Sequence, residues 1–312
     1  MKKVILIVIP AVILAVVIAL LATLGAVGYF AYASLDYTVS APAVAEDGSI
    51  MVMSANIRRQ EKWWSTNKMD VGNRRWYKRA EYYLKNIDAV QPDIFGAQEV
   101  QERQYKFLQE HLEGYDSVVT YRDNKGTRSE SCPIFYSVAR FELISSGTYW
   151  LSETPDVMSV DWGSGEHRIV TYVNLRDKTN DMIIAVYNLH PDWSIADARI
   201  KQLGVVAEKA KASEADKVIV LGDFNSDRNR PDGVEGLALF ESFLQDSKTF
   251  PGMSDYGATY NGYDMDEEDG MMGLDYIFLP FDTEVKAVGK VDTVYDGVYP
   301  SDHFPIWAQV KF

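Results

Sequence analysis

Short apolar runs alternate with longer segments of helical period over most of the chain. Residues 76–89, for example, place Trp76, Ala80, Leu84 and Ile87 at helical spacing with Lys and Arg between them, which predicts an amphipathic helix. Strands are predicted at residues 50–55, 93–97, 117–121, 133–136, 141–150, 168–176, 182–189, 217–221, 276–279, 285–293 and 304–310, and further helices at 104–112, 197–211 and 237–244. Since strands outnumber helices and often follow one another directly, the pattern predicts two packed sheets with helices outside.

The beginning of the chain has a different pattern. Two lysines precede a charge-free apolar run from Val4 to Ala33, and about 20 apolar residues suffice for a helix to span a bilayer. The next basic residue is Arg58, so the charge distribution predicts that the N-terminus lies inside and the remainder outside. A cleaved signal peptide is the alternative, since Ala31-Tyr32-Ala33 fits a small-residue cleavage site.

We therefore expect three parts in the chain: an N-terminal transmembrane signal anchor at residues 1–33, a linker at 34–48 and one domain at 49–312. The linker has no clear period. A domain of roughly 260 residues is large, but α/β and β-sandwich domains reach this length as single units. The expected location is the cell membrane, with a single pass and an extracytoplasmic domain, or secretion if the first segment is cleaved.

The acidic balance of the chain limits the classes of partner. The formal net charge is −14, and without Lys2 and Lys3 the remainder carries 29 basic against 45 acidic side chains, or −16. That balance argues against broad, non-specific binding of nucleic acid, which needs a basic surface. It does not exclude a nuclease, because bound divalent cations supply positive charge locally. The single cysteine, Cys132, excludes a disulfide within the chain and is expected to be a small core residue.

Polar side chains follow the apolar strands at six points along the chain. They are Asn56, Glu99, His190 with Asp192, Asp223 with Asn225, Asp275, and Asp302 with His303. Strand ends are where loops carry chemistry on a rigid scaffold. Taken singly, several have ordinary roles: Asn56 fits a turn, Glu99 suits the start of a helix, and Gly222-Asp223-Phe224-Asn225 fits a tight turn. Their occurrence together in one domain indicates a functional site.

The residue types at these points suit metal-assisted phosphoester chemistry. Mg²⁺ prefers oxygen ligands from one or two carboxylates and keeps waters for the substrate, and such oxygens are available from Asn56, Glu99, Asp223 and Asp302. Hydrolysis also needs a group that orients or deprotonates water. Asp275 lies in an apolar run, where an unpaired charge is costly. A pairing of Asp275 with His303 follows the logic by which a carboxylate orients a catalytic imidazole.

The ordered set of these motifs resembles the endonuclease/exonuclease/phosphatase superfamily, the deoxyribonuclease-like metal-dependent phosphoesterases. The motifs are Ser54-Ala55-Asn56-Ile57-Arg58, Gln98-Glu99-Val100, Asn188-Leu189-His190-Pro191-Asp192, Gly222-Asp223-Phe224-Asn225, Leu274-Asp275-Tyr276-Ile277-Phe278 and Ser301-Asp302-His303-Phe304-Pro305. The resemblance covers the chain from about Ile50 to Phe312. Residues 147–152 and 259–262 also resemble a bacterial branch of unassigned hydrolases within the superfamily, here with a membrane anchor.

The resemblance implies an α/β (α+β) fold, a four-layered sandwich of two packed mixed β-sheets flanked by helices, here preceded by one N-terminal transmembrane helix. The site would lie at one end of the paired sheets. By motif position, Asn56 and Glu99 would hold Mg²⁺ or Mn²⁺, and Asp302 would assist the metal or the water.

The same resemblance implies catalytic roles for five residues. Asp223 would orient or deprotonate the water, with Asn225 beside it. His303, paired with Asp275, would bind the scissile phosphate. His190 would contact the phosphate or act as the acid at the leaving group, and the division of acid and base roles stays open.

Four further residues are predicted to bind the substrate: Arg168, Asp192, Glu130 and Tyr136. Arg168 precedes a predicted strand and is a candidate phosphate clamp, with a solvated charge as its alternative. Glu130 and Tyr136 flank Cys132 and are expected to line the site.

A cluster of aromatic and basic residues precedes and enters the first helix, and a substrate rim is one interpretation of it. The cluster comprises Trp63, Trp64 and Trp76 with Arg58, Arg59, Arg74, Arg75 and Arg79. Because Trp76 and Arg79 fall on the helix, we expect ordinary packing and snorkelling for these two residues.

The sequence thus predicts a divalent-metal-dependent hydrolase of phosphoester bonds outside the cytoplasm, either a phosphodiesterase or nuclease, or a phosphatase. The expected partners are a phosphoester substrate (nucleic acid, lipid headgroup or small phosphate ester) and the membrane, with no obligate protein partner. Two alternatives are a sphingomyelinase-like phosphodiesterase of lipid headgroups and a non-catalytic surface binding module that keeps the fold.

Overall fold

The computed structural model describes residues 13–20, 35–61, 67–264 and 271–312. The predicted anchor at residues 1–33 falls mostly outside these ranges, as do Trp63 and Trp64. Residues 13–20 are helical, and within the described ranges no helix combines the length and apolar character needed to cross a bilayer. The anchor therefore stays a prediction.

The strands and helices follow one another in the order that the sequence predicts. Strands β1 to β16 are Val39–Ser40, Ile50–Asn56, Ile94–Gln98, Val100–Gln101, Leu112–Glu113, Tyr115–Val118, Glu130–Ser131, Ile134–Ser137, Phe141–Trp150, Ile169–Asp177, Ile183–Leu189, Lys217–Asp223, Gln245–Asp246, Asp275–Leu279, Glu284–Lys290 and Ile306–Lys311. Helices α1 to α4 are Trp76–Val90, Glu102–His111, Ala196–Lys211 and Pro231–Glu241. Short 3₁₀ turns are formed by Lys68–Asp70, Gly72–Arg74, Gly126–Arg128 and Ser247–Thr249.

Each predicted strand and helix overlaps an observed one, but α4 begins six residues earlier than the pattern indicated. Pro231 occupies its first turn, where a proline is tolerated because that amide has no helical partner. Gly233 and Gly236 follow, and glycine is a poor helix former that hides the apolar period. The five two-residue strands were not predicted, since a segment that short carries no periodic signal.

Two six-stranded sheets form the centre of the domain. Sheet I has the strand order β15–β16–β2–β3–β8–β6, and sheet II has the order β13–β14–β12–β11–β10–β9. Strand β2 pairs in parallel with β3, and β11 with β12, whereas the other neighbours in both sheets run antiparallel. The predicted pair of mixed sheets is confirmed.

Three buried apolar clusters show how the sheets and helices stack. The cluster between the sheets joins Val52 and Ile94 of sheet I to Val186 and Leu221 of sheet II. Helices α1 and α2 cover the outer face of sheet I, and α3 and α4 cover the outer face of sheet II. Successive side chains of a strand point to opposite faces, so alternate residues of each central strand face the other sheet.

Part of the predicted linker is packed against the domain, which corrects its boundary. Strand β1 pairs in parallel with β5, and Val39 is fully buried in the cluster beneath α1. Leu35 packs against the same cluster, and the Tyr37 hydroxyl donates to Asp88 Oδ2 at 2.7 Å. The folded unit therefore begins before residue 49, because a few apolar side chains in an aperiodic segment suffice to bind it to the domain.

Asn188 joins the two sheets near the end that carries the polar residues. Its amide nitrogen donates to the carbonyls of Ala97 at 2.9 Å and Pro133 at 2.8 Å, and its oxygen accepts from Gln98 Nε2 at 2.7 Å. Gly96 permits this approach, because a Cβ there would lie 2.6 Å from Asn188 Cγ. These contacts hold the ends of β3 and β11 side by side.

A buried ion pair closes the opposite end of the sheets, and its removal is expected to destabilise the fold. Arg140 Nη2 lies 2.9 Å from Asp177 Oδ2, and both side chains are 1% exposed. Replacing Asp177 by alanine should lower the free energy of unfolding by about 3 kcal/mol, because a buried guanidinium loses its closest carboxylate. Urea unfolding measures this change.

The matched control is the neighbouring exposed pair, in which Arg176 Nη1 lies 3.0 Å from Glu142 Oε2. Glu142→Ala should lower the free energy of unfolding by less than about 1 kcal/mol, because solvent screens a surface pair. Equal losses in Asp177→Ala and Glu142→Ala would contradict the structural role of the buried pair.

Candidate active site

The polar residues at the strand ends continue the buried faces of their strands. Ile219 and Leu221 of β12 belong to the cluster between the sheets, and Asp223, two residues later, points the same way. On β14, Asp275 precedes the inward-facing Ile277 by the same spacing. The period of two thus directs both carboxylates into the space between the sheets.

Asn56 and Glu99 come from neighbouring parallel strands of sheet I. Asn56 ends β2, and Glu99 follows β3 with a φ of 60°, a left-handed conformation that is uncommon for a residue other than glycine. Asn56 Nδ2 donates to Asp223 Oδ2 at 3.0 Å and lies 3.5 Å from Glu99 Oε1. The Asn56 amide therefore connects carboxylates from the two sheets.

Asp275 holds His303 in a fixed orientation. The distance from Asp275 Oδ2 to His303 Nδ1 is 2.8 Å, which places the proton of a neutral ring on Nδ1. Asp275 Oδ2 also accepts from Thr259 Oγ1 at 2.6 Å. The other ring nitrogen of His303, Nε2, lies 3.6 Å from Asp223 Oδ2. The pair therefore presents Nε2 to the space beside Asp223.

Burial and neighbouring charges give Asp223 and His303 different protonation states. Burial raises the pKa of Asp223 to about 7. The Asp275 charge adds a smaller upward shift, and the His303 charge opposes both. Burial alone would lower the pKa of His303, but the Asp275 and Asp223 carboxylates raise it to about 10. At neutral pH His303 is therefore an imidazolium, while Asp223 is balanced between its two forms. A pKa near the working pH suits proton transfer.

His190 approaches Asp223 from the other side. Its Nε2 lies 3.6 Å from Asp223 Oδ2 and 3.4 Å from Arg168 Nη1. Burial and then the Arg168 charge lower the pKa of His190 well below its ordinary value, so this ring is neutral at pH 7. Arg168 is 4% exposed, and its guanidinium stays charged at any working pH. A buried positive charge thus lies next to the Asp223–His190 pair.

Glu130 lines the same small cavity as His190 and belongs to a network of ion pairs. Its carboxylate oxygens are 3.1 Å from Arg59 Nη1 and 2.8 Å from Arg122 Nη1. Arg122 also pairs with Glu166. Arg59 pairs with Glu61 as well, and Arg168 lies 4.0 Å from Glu166, so three guanidinium groups face three glutamates. The sequence pattern did not single out Arg122, because nothing distinguishes its loop position from that of a solvated arginine.

Asn225 and Asp192 support the loops next to the site. The Asn225 backbone amide, at a φ of 51°, donates to Asp223 Oδ1 at 2.9 Å, and its side chain donates to Pro191 O at 3.1 Å. Asp192 Oδ1 accepts from the backbone amides of Ser194 at 2.7 Å and Ile195 at 2.8 Å at the start of α3. Asn225 therefore orients Asp223, and Asp192 holds the turn that follows His190.

Tyr136 is the predicted site residue that the structure does not bring to the cluster. It pairs with Ile94 at the beginning of β3, whereas Glu99 follows the end of that strand. Its hydroxyl donates to Asp116 Oδ2 at 3.2 Å, and its ring packs between the sheets. The proximity to Cys132 in sequence misled the prediction, because a strand moves away by about 3.3 Å per residue.

Arg58 lies between the carboxylates of the site, whereas the sequence suggested a place for it in the substrate rim. Its Nη1 is 3.6 Å from Asp302 Oδ2 and 3.8 Å from Glu99 Oε2, and its Nη2 is 3.2 Å from Asp70 Oδ2. Its position two residues after Asn56 was the available signal. Arg58 therefore links the Glu99 side of the site to the Asp302 side.

The donor set around Asn56 fits a hard divalent cation. Within the described ranges Glu99 Oε1 has only the 3.5 Å contact to Asn56 Nδ2, which is longer than a normal hydrogen bond, so a lone pair is available. Mg²⁺ and Mn²⁺ take such carboxylate and amide oxygens. The Asn56 amide directs Nδ2 towards Glu99 Oε1 and Oδ1 towards Arg58 N, so it would have to turn over before both oxygens could face one cation.

A second group of candidate ligands suits a different role. Asp223, Asp275 and His303 offer atoms within 4.8 Å of one another. Here His303 Nδ1 is already engaged by Asp275 at 2.8 Å, which is the arrangement of an oriented proton donor. The oxygen-rich side of the site is therefore the better match for a metal ion.

Comparisons with known proteins agree with this geometry. The model of the Endonuclease/Exonuclease/phosphatase family matches residues 53–303. A mannosyl-6-phosphatase from Bacteroides thetaiotaomicron is 27% identical with a TM-score of 0.71, covering 84% of this chain and 100% of that chain. An endonuclease/exonuclease/phosphatase protein from Bacteroides vulgatus is 26% identical with a TM-score of 0.75, covering 84% of this chain and 98% of that chain.

A curated relative matches a shorter part of the chain. An uncharacterized protein of Acanthamoeba polyphaga mimivirus is 31% identical over 163 residues, which are 49% of this chain and 60% of that protein. The match thus spans less than two thirds of the relative's length.

Two mixed sheets that converge on buried carboxylates and an Asp–His pair define a hydrolase of phosphate esters. The family match extends over most of the chain, and this protein belongs to the endonuclease/exonuclease/phosphatase family. The resemblance drawn from its motifs is confirmed, and the protein is an enzyme that hydrolyses phosphoester bonds.

Proposed function

We propose that this enzyme is a divalent-metal-dependent phosphatase of small phosphomonoesters, with sugar phosphates as the preferred class. The observation that carries the proposal is the depth of the reacting groups: Asp223, Asp275, His190 and His303 are each less than a tenth exposed. A terminal phosphate on a small alcohol can reach such buried groups. The net charge of −14 disfavours a long polyanion. The likeness to a mannosyl-6-phosphatase, which spans all of that chain, adds support.

The metal would be held by the oxygen donors of Asn56, Glu99 and Asp302, where Arg58 already neutralises part of the carboxylate charge. When bound, Mg²⁺ or Mn²⁺ supplies Lewis-acid stabilisation of the charge on the phosphoryl oxygens. The Arg59 backbone amide, which donates to Glu99 Oε2 at 2.9 Å, fixes the orientation of that carboxylate.

The charge states of the protein's own groups would decide which of them transfers a proton and which binds the phosphate. Asp223, with its pKa near 7, accepts the proton of the attacking water. The His303 imidazolium donates a hydrogen bond from Nε2 to a phosphoryl oxygen and stabilises the charge that develops there. His190 is neutral and donates a hydrogen bond to the phosphate, and Arg168 contributes the nearby positive charge. This assignment favours phosphate contact over general acid catalysis for His190, and the proton that Asp223 takes from water is then returned to the leaving alcohol oxygen.

A substrate panel tests the proposal. Purified full-length protein is incubated with mannose 6-phosphate, a single-stranded oligonucleotide or sphingomyelin vesicles, each with Mg²⁺, Mn²⁺ or EDTA. We expect inorganic phosphate from the sugar phosphate at the highest kcat/KM, and none in EDTA. Preferred cleavage of the oligonucleotide would make the enzyme a nuclease, and preferred release of phosphocholine would make it a lipid phosphodiesterase. Either outcome would contradict the phosphatase proposal.

For the location, we propose a single-pass membrane protein whose catalytic domain lies outside the cytoplasm. The support is the apolar run from Val4 to Ala33 after two lysines. A C-terminally tagged full chain should fractionate with membranes and be digested when protease is added to intact cells. A tagged protein that stays in the cytosolic fraction would contradict this location.

A further inference from the structure

Arg79 is a buried arginine whose hydrogen bonds all go to main-chain carbonyls. Its side chain is 0% exposed, so the residue packs as expected, but its guanidinium does not snorkel to solvent. Among the described residues it forms no ion pair with a carboxylate. A guanidinium has five N–H donors, and Arg79 uses them on five carbonyl oxygens, those of Ile57, Arg58, Arg59, Arg74 and Pro300. Its guanidinium also stacks 5.2 Å from the Trp76 ring centroid.

Four of these carbonyls belong to the two loops that carry the site. Residues 56–59, the Asn56 loop, contain Ile57, Arg58 and Arg59, and residues 300–303, the His303 loop, contain Pro300. Arg79 Nη1 donates to Ile57 O and, at 3.0 Å, to Pro300 O. One nitrogen therefore bonds both loops, and the geometry of either loop depends on the same side chain.

The Asn56 loop has a backbone conformation that needs support. Arg58 has a φ of 56°, which is unfavourable for a residue with a Cβ and persists only where surrounding contacts hold it. Its carbonyl accepts from Arg79 Nη2 at 2.6 Å and from Gln104 Nε2 at 2.9 Å. This conformation brings the Arg58 amide to Asn56 Oδ1 and the Arg59 amide to Glu99 Oε2.

The His303 loop is attached to the same support. The Ser301 hydroxyl donates to Asn56 O at 2.6 Å, and the His303 amide donates to Ser301 Oγ at 3.3 Å. Asp302, in the middle of this loop, faces Arg58 Nη1 at 3.6 Å. A shift of Pro300 would therefore reach the groups on both sides of Ser301.

We infer that Arg79 is a positioning residue that holds the Asn56 loop and the His303 loop in one geometry, so that the oxygen donors and the histidine face the same phosphate. Arg79 itself touches no reacting atom. The inference rests on the proposed function for its link to metal binding, but the loop geometry is a property of the metal-free protein as well.

The test compares Arg79→Lys with Arg140→Lys in the full-length protein. Arg140 is the matched control, because it is also buried and also donates to backbone carbonyls, those of Gly48 and Ser49, at the opposite end of the sheets. Lysine keeps the charge but offers three N–H donors from one nitrogen in place of five from a planar fork, so at least two of the five carbonyls lose their donor. Amide hydrogen exchange without metal is expected to accelerate in both loops in Arg79→Lys only. Wild-type exchange in both loops of a folded Arg79→Lys protein would overturn the inference.

Binding of Mn²⁺, measured by isothermal titration calorimetry, gives a readout separate from activity. We expect Arg79→Lys to bind Mn²⁺ about 10–100-fold more weakly, as for the loss of outer contacts to metal ligands, and Arg140→Lys to bind it like wild type. Equal weakening in both variants would overturn the inference, because it would indicate a general loss of stability. A wild-type protein that does not bind Mn²⁺ would contradict the proposed function, while the exchange experiment would still decide the role of Arg79.

A second variant covers the case in which Arg79→Lys does not fold. Arg79→Gln has a shorter side chain with two N–H donors, which cannot span the carbonyls of the Asn56 loop and the His303 loop at once. Faster exchange in both loops of Arg79→Gln would support the inference. Wild-type exchange in both loops would overturn it.

Discussion

Replacing Asp223 by asparagine is expected to lower kcat about 10³-fold, within the range for loss of a general base, in a protein that remains folded. The Asp223 carboxylate has three polar neighbours at Oδ2: Asn56 Nδ2 at 3.0 Å and the Nε2 atoms of His190 and His303 at 3.6 Å each. An amide of the same shape keeps the backbone hydrogen bond from Asn225 but cannot accept a proton from water. Steady-state hydrolysis of p-nitrophenyl phosphate measures the change.

The matched control for this prediction is Asp246→Asn. Asp246 is likewise 1% exposed, but it pairs with Arg228 at 3.0 Å on β13 at the edge of sheet II. Its replacement is expected to change stability and to leave kcat near the wild-type value. An Asp223→Asn enzyme with wild-type kcat, or an equal loss in Asp246→Asn, would contradict the proposed role of Asp223 as the base.

The same substitution carries a prediction about stability and pH. Burial raises the pKa of Asp223 in the folded protein to about 7, above its value in the unfolded chain. A raised pKa means that the group's favourable contribution is present at low pH and is lost as the pH rises through about 7. The thermal stability of Asp223→Asn relative to wild type should therefore be higher at pH 8 than at pH 5. Scanning calorimetry at the two pH values measures the difference, and a gain confined to pH 5 would contradict it.

Replacing Asp275 by asparagine has the second largest expected effect, a loss of about 10²-fold or more in kcat. Asp275 accepts from His303 Nδ1 at 2.8 Å and from Thr259 Oγ1 at 2.6 Å. The Asp275 charge is the strongest influence that raises the pKa of His303 to about 10. Without it the pKa falls, so the imidazolium that is proposed to bind phosphate is lost at a lower pH. The basic limb of the kcat profile should move towards acid pH.

Thr259→Ser serves as the control for Asp275→Asn, because it keeps the hydroxyl that donates to Asp275. Its kcat and pH profile are expected to match those of wild type. A basic limb that stays in place in Asp275→Asn would show that Asp275 does not set the charge of His303.

The position of the site residues at strand ends could be predicted from the sequence, because polar residues follow apolar runs there. Their inward direction could not, since the strands next to Asp223 and Asp275 are continuously apolar, and only the packing of Leu221 and Ile277 between the sheets shows which face they share. Motif order then supplied the partners, such as Asp275 for His303. The sheet order itself was not predicted, since strands far apart in sequence pair by shape and burial that no local pattern records.

The supporting residues could not be predicted, for physical reasons that differ from case to case. The left-handed backbone of Arg58 is set by carbonyl contacts from α1 and α2, and those contacts exist only after the helices dock. Arg79 looked like a solvated helix residue, because a buried arginine with carbonyl partners has the same spacing as an exposed one. Tyr136 was assigned to the site because it is near Cys132 in sequence, but residues along an extended strand do not stay close together in space.

The central claim is that Asn56, Glu99, Asp223, Asp275 and His303 form one metal-assisted phosphoester site. The most direct measurement is the rate of p-nitrophenyl phosphate hydrolysis by the full-length protein with Mn²⁺, compared with the rate in EDTA and with the rate of His303→Ala. The account predicts hydrolysis that requires Mn²⁺ and that disappears in the folded variant. Hydrolysis that persists in EDTA, or at the wild-type rate in His303→Ala, would contradict it.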